Sequence, residues 1–373
     1  MKKIFFIFEN FHEFHLKNLD IEKLQLYFSI EIICYNNTVL KNIKNENLNI
    51  HYVKKDIDVL ILLEGISEKS FVFFAINNLS HKKLFDSIRK LNLIKCSIHH
   101  TSFMPARERN YLYDFYNKVF VERNLILSFI RFFNKFFLKK QKPFYDIVFT
   151  AGELSYKINN SIGLKNISTI SRDFNISKEF KKKIVEENLI VYLDCGVGSH
   201  PDEVLSSWRY QNLSQIKIKK FYEELNTFFL DIEKKQNTKV IIATHPRRSF
   251  FDHKAFKNRI IKNSKTVDLV ARSKCVISTH STSMQYAVIF KKPIILITSK
   301  NLPFFSMYSD IHKWKKHLEC KLINISKNYD LEFNLNYKGF DRLYDRFFQR
   351  YVCNMDKKNY PKSIWEDFIS EYK

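Results

Sequence analysis

The sequence predicts a doubly wound α/β fold arranged in two domains, and three observations support that prediction. Short apolar runs that suit buried strands alternate with segments of helical spacing along most of the chain. The 373 residues are enough for two domains of ordinary size. A highly charged stretch without proline or glycine, 171–187, separates the two alternating halves. We therefore expect domains at 1–175 and 188–340, followed by an aromatic, helical tail at 341–373.

The composition excludes several classes of protein. Hydrophobic residues make up 45% of the chain and there are only 6 glycines and 7 prolines, which argues against disorder and fibrous repeats. No uncharged apolar run reaches the roughly 18 residues that a spanning helix needs. The apolar N-terminus is interrupted at Glu9, too early for a signal peptide, and predicts a first strand. The six cysteines are scattered without a C-x-x-C pair, which favours free thiols in a reducing cytoplasm over disulfides or a zinc site.

The formal net charge of +23 is compatible with nucleic acid, a membrane surface or an anionic substrate as partner. Part of it reflects a chain rich in the residues that AT-rich codons supply, and no nucleic-acid-binding motif accompanies it, so we expect no nucleic acid partner. The segment Phe129–Lys142 interleaves phenylalanines at helical intervals with lysine and arginine. That pattern suits either a helix at a membrane surface or a helix packed on the sheet with a solvated basic face.

In the first half, the pattern places the carboxyl ends of strands next to acidic and imidazole side chains. Ligands collect at that edge of a parallel sheet, so Glu9, His12 and Glu64 are candidate site residues. The predicted strands are Lys3–Phe8, Ile30–Cys34, Val59–Leu63, Tyr145–Thr150 and Ile167–Ile170, and the predicted helices are Leu19–Phe28 and one or two within Lys69–Leu91.

The second half repeats the alternation. The predicted strands are Leu189–Leu193, Lys239–Thr244, Cys275–Ser278, Ile294–Ile297 and Lys321–Ile325, and the predicted helices are Ile216–Lys235, Val267–Arg272, Ser283–Phe290, Tyr344–Val352 and Ile364–Tyr372. Three of the strands lead into polar clusters, Asp194–Asp202, His245–Arg248 and Ser278–Ser283. Their imidazole, guanidinium, hydroxyl and helix N–H groups suit the phosphate of a nucleotide. The alternative for the third cluster is an ordinary helix cap at Ser281 or Thr282.

Two of these clusters carry a resemblance. Ala243–Arg247, which contains a His-Pro pair, followed by the Ser/Thr-rich Ser278–Ser283, resembles the C-terminal half of glycosyltransferase-B enzymes, and more narrowly bacterial sialyltransferases. The stretch from Tyr192 to Asp202 is similar to bacterial surface-polysaccharide biosynthesis proteins. The resemblance covers 189–299. It implies two Rossmann-like domains facing a central cleft, with the C-terminal helix crossing back to the first domain.

The resemblance also implies roles for individual residues. His245 would contact the donor phosphate and help the nucleotide leave, and Ser281, Thr282 and Ser283 would bind the same phosphate. The full set of candidate donor-binding residues is Gly196, His200, His245, Pro246, Arg247, His280, Ser281, Thr282 and Ser283.

The general base is less clearly marked. In the similar enzymes, two carboxylates followed by glycine supply it from the N-terminal domain. This chain has a single acid there, in Leu62–Gly65, which makes Glu64 a partial match. Glu9 is the competing candidate and Asp194 a third. The candidate catalytic residues are therefore Glu64, Glu9, His245 and Asp194.

The resemblance predicts an inverting glycosyltransferase that needs no cofactor beyond its nucleotide-sugar donor, with a CMP-linked nonulosonate or Kdo as that donor. The acceptor would be a bacterial cell-surface glycan, free or lipid-linked, met in the cytoplasm or at the inner face of the plasma membrane. No D-x-D motif follows a predicted strand, which predicts metal-independent transfer. Two alternatives remain: a CDP-dependent glycerol- or ribitol-phosphate transferase, and a non-catalytic protein that binds an anionic glycan or nucleic acid.

Overall fold

The computed structural model describes residues 2–11, 13–35, 48–66, 70–76, 80–99, 144–153, 163–180, 184–198, 214–244, 253–302, 311–312, 314–332, 340–353 and 360–373. The chain divides into two compact units. The first contains Met1–Ser102, Lys140–Ile176 and Gln349–Lys373, and the second contains Phe103–Lys139 and Ser177–Phe348. Each unit is built on one parallel sheet, which confirms the predicted α/β fold class.

The first unit contains a seven-stranded sheet in the order β3-β2-β1-β4-β5-β6-β7, and every neighbouring pair in it is parallel. Its strands are β1 (Lys3–Phe8), β2 (Ser29–Cys34), β3 (Asn49–Tyr52), β4 (Phe71–Ala75), β5 (Ile94–His99), β6 (Tyr145–Ala151) and β7 (Gly163–Thr169). Its helices are α1 (Glu13–Asn18), α2 (Ile21–Gln25), α3 (Asp56–Glu64), α4 (Lys82–Ile88) and the start of α5 (Arg172–Phe180).

The sequence prediction for Val59–Leu63 is wrong, because this apolar run lies within helix α3. The preceding polar residues start a helix: the Asp58 carboxylate accepts the backbone N–H groups of Lys54 and Lys55, both at 3.0 Å. Val59 and Leu63 are then buried one helical turn apart. A short run of consecutive apolar residues shows neither the helical nor the strand period, so it fits a buried strand and a short helix equally well. Only the capping residues before the run indicate the helix.

The prediction of helices throughout Lys69–Leu91 is also wrong in its first part. Phe71–Ala75 forms strand β4, and only Lys82–Ile88 is helical. Phe71, Val72 and Phe73 pair with β1 on one side and β5 on the other. A strand buried on both faces reads as a continuous apolar run, which hides its period of two. Strands β3 and β5 were not predicted.

The second unit contains a six-stranded parallel sheet in the order β10-β9-β8-β11-β12-β13. Its strands are β8 (Leu189–Leu193), β9 (Lys239–Thr244), β10 (Ile261–Asn263), β11 (Cys275–Ser278), β12 (Ile294–Thr298) and β13 (Lys321–Asn324), and its helices are α6 (Gln215–Gln236), α7 (Thr266–Arg272), α8 (Met284–Ile289) and most of α9 (Asp341–Tyr351). The predicted elements of this half agree with the structure to within three residues at each end, and β10 was not predicted.

Both faces of the first sheet are covered. On one face, Phe5 and Ile7 pack in a buried cluster with Val59, Leu63 and Leu84 of α3 and α4. On the other face, the ring of Phe6 lies 6.2 Å from that of Trp365, next to the C-terminal helix α10 (Glu366–Tyr372). The last helix therefore belongs to the first unit, as predicted.

Among the described residues, no helix is long and apolar enough to cross a membrane. The basic, phenylalanine-rich segment Phe129–Lys142 lies outside the part of the chain that the structure describes, and its proposed membrane contact stays a prediction.

Candidate functional site

Four adjacent strands of the first sheet bring polar side chains to its carboxyl edge. Glu9 follows β1, Tyr35 follows β2, Asp56 follows β3 at the start of α3, and His81 follows β4 at the start of α4. Because the strand order is β3-β2-β1-β4, the four residues come from four consecutive positions along the edge. We call these four residues the His81 cluster.

The members of the His81 cluster are joined by hydrogen bonds. The Tyr35 hydroxyl donates to Asp56 Oδ1 at 2.7 Å, and His81 Nδ1 lies 2.7 Å from the same oxygen. His81 Nε2 lies 3.7 Å from Glu9 Oε1. The ring of Tyr35 packs on the His81 ring with 4.7 Å between centroids. The imidazole is therefore held by a carboxylate at one nitrogen and faces a carboxylate with the other.

The hydrogen-bond pattern determines which nitrogen of His81 carries a proton in the neutral ring. An ionised carboxylate only accepts hydrogen bonds, so Nδ1 is the donor to Asp56 and Nε2 keeps its lone pair. Burial and the hydrogen bond to Asp56 raise the pKa of Tyr35 far above its ordinary value, so its hydroxyl stays protonated and donates. The side chain of His81 is 16% exposed and that of Glu9 is 46% exposed.

Glu64 lies elsewhere. It is exposed and ends helix α3, whose first residue, Asp56, stands at the carboxyl edge of the sheet. Because α3 runs back toward the start of β4, its last residue lies toward the opposite edge from Glu9. The prediction that Glu64 ends a strand is therefore wrong, since the residues directly before it form helix α3. His12 lies outside the described residues.

The second sheet also gathers polar side chains at its carboxyl edge. Strands β9, β8 and β11 are neighbours, so the three polar clusters predicted from the sequence follow adjacent strands. The Thr279 hydroxyl donates to Cys195 Sγ at 3.3 Å and lies 3.0 Å from His280 Nδ1. A thiol and an imidazole, linked by a buried hydroxyl, therefore occupy the ends of β8 and β11.

The hydroxyl-rich turn after β11 is held by its own side chains. Ser278 Oγ accepts the backbone N–H of Ser281 at 3.2 Å, and Ser281 Oγ accepts that of Ser283 at 3.2 Å. Ser281, Thr282 and Ser283 are half-buried, and α8 begins directly after them. The cap position of α8 is Ser283, whose side chain forms no cap hydrogen bond, so the cap considered at Ser281 or Thr282 is not at the helix start. The phosphate role of the turn stays a prediction.

Asp194 shapes the loop after β8. Its Oδ1 accepts the backbone N–H of Gly196 at 2.9 Å, and the residue is 3% exposed. Gly196 and Gly198 have φ values of 68° and 77°, in the region that glycine adopts without strain. A buried carboxylate that holds a glycine turn acts on the shape of the loop, and its proposed role as a base stays a prediction.

The remaining predicted donor-binding residues, His200, His245, Pro246 and Arg247, lie outside the part of the chain that the structure describes. Their roles stay predictions. Thr244, the last residue of β9, is described, so the strand that leads to His245 is the one expected.

Cys195 has an unusual electrostatic environment. Burial acts to raise the pKa of its thiol, but the charge and hydrogen bonds of His280 and the hydrogen bond of Thr279 outweigh it, and the pKa is lowered. The opposite holds for Cys96, Cys275 and Cys320, whose pKa values burial raises, that of Cys320 to about 12. Only the thiolate is nucleophilic, so the four thiols differ in reactivity.

We expect iodoacetamide to alkylate Cys195 of the folded protein before Cys96, Cys275 and Cys320. The rate should rise with pH and reach half of its maximum below the ordinary thiol pKa of 9.0, because the thiolate forms above the lowered pKa. His280→Ala should slow the reaction at pH 7, since it removes the charge that stabilises the thiolate. Peptide mass spectrometry measures each site, and equal rates for Cys195 and Cys275 would contradict the expectation.

Sequence reasoning missed Tyr35, Asp56 and His81. The signal for Asp56 was a helix start, in which Asp56 and Asp58 stand just before the apolar run. His81 was hidden because the strand before it was interpreted as helix. In the second unit it missed Glu224 of α6, whose carboxylate accepts hydrogen bonds at 2.6–2.9 Å from Ser299, Asn301 and Ser326. This carboxylate ties α6 to the loops after β12 and β13.

Comparison with known proteins adds information on the fold. No protein-family model and no curated protein matches the chain. Two structures of the wall teichoic acid polymerase TagF match with TM-scores of 0.53 and 0.52, at 15% and 14% identity, over 99% of this chain and 88% of TagF. UDP-GlcNAc 2-epimerase from Methanocaldococcus jannaschii matches with a TM-score of 0.49 at 12% identity, over 100% of this chain and 99% of the epimerase. Similarity at such low identity shows the fold, and the chain has the two-domain α/β fold of the GT-B type.

Proposed function

We propose that this protein is an inverting glycosyltransferase that uses a nucleotide-activated sugar, with the donor phosphate bound by the second unit. One observation carries the proposal: the ends of the adjacent strands β8 and β11 bring Cys195, Thr279 and His280 together beside the hydroxyl-rich turn Ser281–Ser283. Ligands of doubly wound sheets bind at this edge. The donors there are imidazole and hydroxyl groups, which suit phosphate oxygens.

The chemistry required of this edge follows from the reaction. As the bond between the sugar and the phosphate breaks, the phosphate oxygen gains negative charge. Hydrogen-bond donors already fixed around that oxygen stabilise the charge without having to reorganise. The turn at Ser281–Ser283 is fixed in this sense, because Ser278 and Ser281 hold its backbone. His245 and Arg247, from the neighbouring strand, complete the set in our proposal.

Transfer without a metal ion is part of the proposal. This part rests on the sequence pattern, in which no D-x-D motif follows a predicted strand, although Asp56-Ile57-Asp58 follows β3 in the structure. Transfer that survives excess EDTA would support metal independence, and strict dependence on Mn²⁺ or Mg²⁺ would contradict it. The acceptor we propose is a lipid-linked cell-surface glycan, reached at the inner membrane face through Phe129–Lys142.

A CMP-linked nonulosonate or Kdo is the donor that the His-Pro and Ser/Thr motifs favour. The second candidate is polyol-phosphate transfer from a CDP donor. The fold match to a wall teichoic acid polymerase, with a TM-score of 0.53 over 88% of that chain, favours this alternative. Both candidates share the cytidine nucleotide and the phosphate site, and they differ in the bond that breaks.

A thermal-shift screen of CMP, CDP, UDP and GDP tests the nucleotide site. A ligand at about one hundred times its Kd adds about 2.7 kcal/mol to the free energy of unfolding, so CMP or CDP should raise the melting temperature measurably. His280→Ala should reduce that shift. Thr227→Ala should not, because the Thr227 hydroxyl donates to the backbone carbonyl of Glu223 within α6. If no nucleotide raises the melting temperature, the proposal loses its support. Release of CMP from a CMP-sugar or from a CDP-polyol then separates the two candidates.

A further inference from the structure

We propose that His81, positioned by Asp56, is the general base that takes the proton from the acceptor hydroxyl. This inference rests on the proposed function, which requires a base but leaves it unassigned among Glu64, Glu9 and Asp194. The structure moves Glu64 from a strand end to a helix end, and it holds Asp194 in a glycine turn. The His81 cluster places two carboxylates, an imidazole and a tyrosine hydroxyl at the carboxyl edge of the first sheet, one after each of four consecutive strands.

The tautomer of the His81 imidazole suits a general base. Asp56 Oδ1 lies 2.7 Å from His81 Nδ1 and accepts its proton, so the lone pair of the neutral ring is on Nε2. A general base needs a lone pair directed at the reacting group, and the partner on the other nitrogen fixes which nitrogen that is. The Tyr35 hydroxyl, also 2.7 Å from Asp56 Oδ1, holds the carboxylate in place. Asp56 and Tyr35 are therefore positioning residues.

A gap separates His81 from Glu9. Nε2 and Glu9 Oε1 are 3.7 Å apart, longer than a normal hydrogen bond between them. Both atoms accept hydrogen bonds, so a hydroxyl beside them finds an acceptor on either side. Glu9 is the more exposed of the two, with 46% of its side chain accessible against 16% for His81. An acceptor hydroxyl would approach from the Glu9 side, and the carboxylate would stabilise the imidazolium that forms.

The transfer step needs no reactant other than the acceptor and the donor. The acceptor oxygen forms a bond to the anomeric carbon of the donor while its proton moves to His81 Nε2. The bond from the anomeric carbon to the phosphate oxygen breaks, and its electron pair leaves with the nucleotide. The imidazolium then returns its proton to solvent. The Asp56 carboxylate interacts more strongly with the imidazolium than with the neutral ring.

The first test needs no donor. In protein labelled with ¹⁵N-histidine, the signal that disappears in His81→Asn should show a protonated Nδ1 and an unprotonated Nε2 when the ring is neutral. Asp56→Asn should shift it toward the opposite tautomer. Asp58→Asn is the matched control, because Asp58 lies in the same helical turn but accepts the backbone N–H groups of Lys54 and Lys55. A wild-type ring protonated at Nε2 alone would overturn the proposal.

The second test measures transfer. His81→Asn keeps a side-chain N–H near the position of Nδ1, so it preserves the bond to Asp56 while it removes Nε2. We expect kcat for a hydroxyl acceptor to fall by about 10²–10⁴-fold, the usual contribution of a general base. Transfer to azide, an acceptor with no proton to lose, should keep the wild-type rate. Equal losses with both acceptors would overturn the proposal, because a damaged fold slows both.

The remaining variants separate the roles. Glu9→Gln should reduce kcat less than His81→Asn does; the reverse order would make Glu9 the base. Asp56→Asn should lower kcat with little change in the KM for the donor. CMP should raise the melting temperature of His81→Asn and of the wild type alike. A wild-type protein that neither binds a nucleotide nor transfers a sugar contradicts the proposed function. In that case the tautomer of His81, measured by NMR, still shows whether its imidazole is arranged as a base.

Discussion

Replacing Trp365 by alanine is expected to lower the free energy of unfolding of the first unit by about 3–5 kcal/mol, the range for loss of a large buried aromatic side chain. Trp365 is 0% exposed. Its indole lies 5.2–6.2 Å, centroid to centroid, from the rings of Phe6, Phe73 and Phe149, which come from three strands of the sheet. Its Nε1–H donates to the backbone carbonyl of Leu19. The alanine variant loses the packing on all three strands at once.

Hydrogen exchange in urea, followed in β1 and β4, measures the effect on the first unit separately. Trp365→Phe is the matched control, because it keeps an aromatic ring but loses the hydrogen bond to Leu19. It should cost less than Trp365→Ala. A loss of less than about 1 kcal/mol for Trp365→Ala would show that the C-terminal segment is not part of the core of this unit.

Gly152→Ala is expected to destabilise the same unit by about 3 kcal/mol. Gly152 follows β6 with a φ of 75°, which costs a residue with a side chain about 1–2 kcal/mol. A Cβ there would lie 2.5 Å from the backbone oxygen of Arg350, and such overpacking typically costs about 1–3 kcal/mol. The Cβ would meet backbone atoms, which cannot move aside by changing rotamer. The backbone at Arg350 would therefore have to shift.

Gly65→Ala is the control for this substitution. Gly65 caps the C-terminus of α3 with a φ of −84°, and nothing lies within 4 Å of the position of its Cβ. Its replacement should change stability by no more than about 0.5 kcal/mol. Urea denaturation of both variants compares them directly. Equal effects would mean that the close approach of Arg350 to Gly152 is not a constraint on the fold.

Trp365→Ala and Gly152→Ala both disturb contacts of the segment Gln349–Lys373. This segment is the last part of the chain, but it packs in the first unit. Further contacts hold it there: Ser171 N–H donates to the Val352 carbonyl at 2.9 Å, and the Thr169 hydroxyl donates to the Ile364 carbonyl at 2.9 Å. These bonds join residues far apart in sequence, and the amino-acid pattern of the tail shows only that it is helical and aromatic.

The sequence by itself determined most elements of the second unit, because each strand and helix there has a clear local signal. The helix Gln215–Gln236 has a long helical apolar pattern, and Ser214 Oγ caps it by accepting the Lys217 N–H at 3.3 Å. The hydroxyl-rich turn at Ser281–Ser283 is contiguous in sequence, so its position after β11 could be predicted from neighbouring residues. The fold class followed from the same local alternation.

Only the tertiary structure decided the first unit's site. Whether Val59–Leu63 and Phe71–Ala75 are helix or strand depended on which partners they found, since both are short apolar runs. The sequence assigned Val59–Leu63 to a strand and Phe71–Ala75 to a helix, and both assignments were wrong. Asp56 and His81, which lie close to these elements, were therefore not recognised as candidate site residues. Tyr35, Asp56 and His81 are separated by 21 and 25 residues and meet because parallel strands end at one edge. Hydrogen bonds between side chains at separate strand ends leave no regular pattern in the sequence. The pairing of His81 with Asp56 is therefore visible only in the tertiary structure.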